Sequence, residues 1–145
     1  MISADFAWDV LKIVGAAAVG SFGTMWRLNH EQLDKRLEEA IDIVESMAGL
    51  ATEYWLLPGS DPEAIKLGAL IVGKSRRLGL LISKVLKPYK AFRWVDHGPL
   101  VKFRQAATGG AFQVLARRSD KHRAQDTQTA ASDLITALRL ARKWW

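Results

Sequence analysis

The first pattern along the chain is an apolar run. Between Lys12 and Arg27 no charged residue interrupts "IVGAAAVGSFGTMW". Trp8 and Trp26 bracket the run, 18 residues apart, which at ~1.5 Å rise per residue is roughly 27 Å of helix. A bilayer's hydrocarbon core is about 30 Å thick, and tryptophan favours its two interfaces. Residues 1–27 therefore predict a transmembrane helix, with interface anchors at Trp8, Trp26 and Arg27. Two other readings stay open: an amphipathic helix lying in the interface, and a core helix of a bundle. Asp9 and Lys12 fall inside the window one turn apart, and glycine and alanine dilute its hydropathy. The acidic start argues against a cleaved signal peptide.

One face of this segment changes the picture further. Asp5, Asp9, Lys12, Ala16, Gly20, Gly23 and Arg27 recur at helical spacing. Small residues let membrane helices approach closely, and charged ones turn away from lipid. Asp9, Lys12, Ala16, Gly20 and Gly23 are thus the candidate stripe for self-association, or for packing on another membrane protein.

The next stretch is acidic and amphipathic. Leu33, Leu37, Ala40, Ile41, Val44, Met47 and Ala48 repeat at three and four over 29–57. Asn29 is the expected cap, and Pro58-Gly59 the stop. Glu38, Glu39, Asp42 and Glu45 line the other face. They are expected to be solvated, or docked on the basic half, because no histidine completes a metal-binding spacing.

A third helix starts at Ser60 or Asp61, with Pro62 in its first turn, and runs to about Lys87 before Pro88. Leu67, Ile71, Leu78, Ile82 and Val85 form its apolar stripe. Inside it stands "GALIVGKS", Gly68 to Ser75, which matches a phosphate-loop pattern letter for letter. That loop needs a strand before it and a helix after it. Here "DPEAIK" is a helix start, so the match is expected to be helix interior. Asp96 and Pro99 then begin a short helix that ends at Gly109-Gly110. "DTQTAASDLITALRLARKWW" is the final one, with Ala131, Leu134, Ile135, Leu138 and Ala141 inward.

Charge adds an asymmetry. Residues 1–73 carry 5 Lys/Arg against 11 Asp/Glu, whereas 74–145 carry 16 against 4. A half this basic points to an anionic partner. Lys74, Arg76, Arg77, Arg93, Lys102, Arg104, Arg117 and Arg118 are the candidate partner-binding face, interleaved with aromatics. Such a face suits phosphates of nucleic acid or anionic lipid. The terminal Trp144-Trp145 could dip into a membrane interface. The chain has no cysteine, which removes disulfides, thiolate metal sites and cysteine nucleophiles. No histidine, carboxylate pair or hydroxyl stands in a catalytic setting, so no cofactor, metal or catalytic residue is assigned.

The expectation is an all-α protein: an N-terminal membrane helix (1–27), then a cytoplasmic domain (28–145) of about four helices. That domain comprises the acidic helix 29–57 and the basic half 61–145. Positive charge after the span places the N-terminus outside the inner membrane and the rest in the cytoplasm. The layout, though no motif, resembles toxin-like effectors of bacterial anti-phage systems and holins. It implies a non-enzymatic effector that oligomerises through its first helix and perturbs the membrane lipid under control of a regulatory protein or signal. The alternative is a basic helical module that binds nucleic acid, soluble or tethered.

Overall fold

Asp61 shows how the chain's punctuation becomes structure. Its carboxylate accepts a hydrogen bond from the Glu63 backbone N–H at 2.8 Å, and Pro62 opens the helix that follows. In this computed structural model, residues 4–86 and 97–142 are described, with only the backbone for 4–7, 9–11 and 85. The described residues form helices α1 (Ala4–Leu56), α2 (Pro62–Leu80), α3 (Gly98–Thr108) and α4 (Lys121–Ala141), with no strand. The protein is all-α. Beyond α2 the helix widens into π-type turns over Leu81–Leu86.

The largest difference from the sequence pattern lies at residues 27–29. The expected end of one helix and start of another are absent, because α1 is continuous for 53 residues. Nothing at "WRLNHEQ" breaks a helix: it holds no proline or glycine, and Arg27 pairs with Glu31 one turn on at 3.2 Å. Asn29 is therefore a mid-helix residue and caps nothing. Membrane crossing is the second difference. Among the described residues, no helix is long and apolar enough to cross a membrane.

The chain divides into two units, Met1–Lys35 and Arg36–Trp145. The first consists, as far as it is described, of the start of α1. The second has its own core. Leu37, Ala40, Ile41, Val44, Met47 and Ala48 are buried as the spacing predicts, and Leu67, Ile71, Leu78 and Ile82 of the next stripe are buried with them. The stripe's last member, Val85, lies outside the described side chains, as do the expected stop at Pro88 and the cap at Asp96. Ile43, Ala51, Tyr54 and Trp55 extend the core beyond the expected stripe.

The final helix starts earlier than expected. Asp120 caps it, accepting from the Arg123 N–H at 3.0 Å, and Ala124 and Thr127 join the core. Arg118, Lys121, His122 and Arg123 make this stretch read as polar linker. The cap geometry overrides that composition, because it satisfies a backbone donor at the helix end. Ile135 is half-buried rather than fully inward.

Candidate functional site

The first candidate is the apolar run of α1. A continuous helix from Lys12 to Arg27 carries Lys12, Ala16, Gly20, Gly23 and Arg27 on one face, and all five are exposed. Nothing lies within 4 Å of a Cβ built on Gly20 or Gly23. The side chain of Asp9, the stripe's first member, is outside the described set. The large apolar residues are exposed as well: Trp8 is 64 %, Val19 75 %, Phe22 81 % and Trp26 65 % accessible, with Ile13, Val14, Met25 and Leu28 more than half accessible. Contiguous apolar exposure of this kind is characteristic of surfaces that another protein or a membrane covers.

The hydroxyls of the same stretch are already satisfied. Its only hydroxyls, Ser21 and Thr24, donate back to the carbonyls of Ala18 (3.0 Å) and Gly20 (2.9 Å). The Trp26 ring meets His30 edge-on at 4.0 Å between centroids. Moving the stretch out of water would leave neither hydroxyl unpaired.

The basic residues divide by role. Arg117 is buried, 7 % accessible, with its guanidinium 4.3 Å from the Tyr54 ring centre and 4.8 Å from that of Trp55. It donates to the carbonyls of Tyr54 and Arg118, while its Nε has no hydrogen-bond partner. Arg104 donates to the Ser75 carbonyl at 2.9 Å and ties α3 to α2. Arg77 donates to Glu39 at 2.9 Å, and Glu39 also accepts from Arg36. Those two hydrogen bonds, Arg77 first, hold the Glu39 carboxyl below its ordinary value of 4.5. Glu38 similarly accepts from Arg142 at 3.1 Å. The acidic face of α1 is thus partly docked on the basic half. Arg76, Lys102 and Arg118 are exposed and Lys74 is half-buried. Arg93, Trp144 and Trp145 lie outside the described residues.

In the sequence Arg123 is only one more cation of the basic half. Arg123 places its guanidinium 4.9 Å from the Trp55 ring centre and donates to the carbonyls of Gln105 (3.0 Å) and Gly109 (2.8 Å). It closes the C-terminal end of α3. Only Gly109-Gly110 hinted that carbonyls would need a donor there.

"GALIVGKS" lies within α2, with Gly68 buried against Tyr54 and Phe112, so no phosphate loop forms. Among the described residues, no three His, Asp or Glu side chains converge as a metal set. Comparison with protein families, curated proteins and solved structures finds no match to this chain.

Proposed function

We propose that the protein is a non-enzymatic, membrane-directed effector. The apolar first half of α1 acts on the lipid, and the helical unit from Arg36 onward carries and controls it. The exposure of Ile13, Val14, Val19, Phe22, Met25 and Trp26 on a helix whose hydroxyls are internally satisfied carries this reading. A single copy carries Lys12 and a glycine-alanine face that lipid covers poorly. Several copies packing these faces together would present only the apolar sides to lipid. Assembly and membrane action are therefore one step, with the basic unit on the side of anionic headgroups.

The test uses the full chain and a Val19→Asp/Phe22→Asp variant, each separated into membrane and soluble fractions with a carbonate wash. Both positions are exposed, so the variant keeps its folded core. The native chain should stay with the membrane and the variant should be released. A native chain recovered wholly in the soluble fraction would overturn the reading. A basic module binding nucleic acid would then lead, with Arg76, Lys102 and Arg118 as exposed phosphate contacts and affinity falling steeply with salt.

A further inference from the structure

Between the start of α2 and the loop before α4 lies a cleft of about 190 Å³, lined by Tyr54, Ala64, Ile65, Gly68, Gln113 and Leu115 among others. Its lining is mainly apolar, and Ile65 and Leu115 are exposed at its edge. Gly68 deepens it: a Cβ there would already touch the Tyr54 ring at 3.4 Å. Gln113 holds a left-handed backbone, φ 61°, and its N–H donates to the Tyr54 hydroxyl at 2.7 Å.

That hydrogen bond uses the hydroxyl as acceptor. Tyr54 is 2 % accessible, and the one hydrogen bond described at its hydroxyl is the one it accepts from Gln113. A buried hydroxyl with an unused donor is a group in want of a partner. Tyr54 lines a cleft large enough for one six-membered ring, since an apolar cavity of about 150 Å³ holds benzene. The lining contains no charged side chain, and the cation nearest to it, Arg117, is buried and already donates to the carbonyls of Tyr54 and Arg118.

We infer that this cleft binds a small, neutral, mainly apolar molecule that presents one carbonyl-type acceptor to the Tyr54 hydroxyl. The site goes beyond the membrane reading. It belongs wholly to the second unit, and its test does not involve the first half of α1.

Cyclohexanone and its isostere methylenecyclohexane are suitable probes, because they differ only in the acceptor. Each is titrated into the full chain at known free aqueous concentration, following the backbone amides of Gly68, Gln113 and Leu115 by NMR. Saturable shifts at these amides are expected. The affinity ratio, ketone over alkene, should be about five-fold higher in the native chain than in Tyr54→Phe, the value of one neutral hydrogen bond. Ile65→Trp, at an exposed edge position, should abolish both signals by filling the mouth. Absence of saturable shifts in the native chain, a ratio that Tyr54→Phe leaves unchanged, or binding that survives Ile65→Trp would each overturn the assignment.

Discussion

Arg117 carries more structure than any other charged side chain among the described residues. It is buried over two aromatic rings and donates to two carbonyls. Arg117→Ala removes the stacking and the shorter of two hydrogen bonds to the Tyr54 carbonyl, which keeps only the Leu57 N–H at 3.3 Å, so it should cost about 3 kcal/mol in a urea titration. Arg117→Lys should recover less than half of that, because an ammonium neither stacks flat nor bridges two carbonyls. Full recovery by lysine would show that charge alone suffices. Glu39 makes a weaker, pH-dependent contribution. Its folded-state pKa is depressed by Arg77 and Arg36, so the stabilisation is present above the ordinary 4.5 and is lost as pH falls through the lower folded value. Arg77→Gln should therefore lower the stability measured by urea titration at neutral pH, by under about 1 kcal/mol for so exposed a pair, and make no difference in acid. An equal difference at both pH values would remove the ion pair as its cause.

At the scale of elements, the caps and turns decide where helices begin and end. Asp120 is the only side chain seen capping α4, so Asp120→Ala should cost about 1 kcal/mol and fray the first turn. Loss of protection at the amide of Arg123 in hydrogen exchange would report it. Gly110 supplies a positive φ of 63° between α3 and the loop, where Arg123 also approaches. Gly110→Ala should destabilise by about 1 kcal/mol, through backbone strain and crowding of that guanidinium. A thermal midpoint unchanged in Gly110→Ala would show that the turn relaxes at no cost. The continuity of α1 is the complementary lesson. Without a breaker or cap, a change from apolar to polar composition does not end a helix.

For the whole molecule, the proposed association of copies gives the sharpest prediction. Gly20 has open space around it, so Gly20→Leu should leave the single chain intact and raise local helix preference by about 1 kcal/mol. It should nonetheless weaken oligomers of the full chain in mild detergent, measured by light scattering, because two helices can no longer approach at that face. An oligomer of unchanged mass would reject the stripe as an assembly surface while leaving the membrane reading to its own test.

The sequence by itself determined the helical class, the core stripes of α1 and α2, the start of α2 at Ser60 or Asp61, and the helical rather than loop-like setting of "GALIVGKS". All of these rest on period, capping chemistry and proline position, which act within a few residues. Tertiary structure alone decided which arginines are structural. Arg117, Arg104 and Arg77 look in sequence like any other members of a basic half. Their roles depend on Tyr54, Ser75 and Glu39, which are 29 to 63 residues away along the chain. The same holds for the cleft beside Tyr54. Its walls come from three separate segments, and no local pattern announces a hydroxyl left with a proton to give.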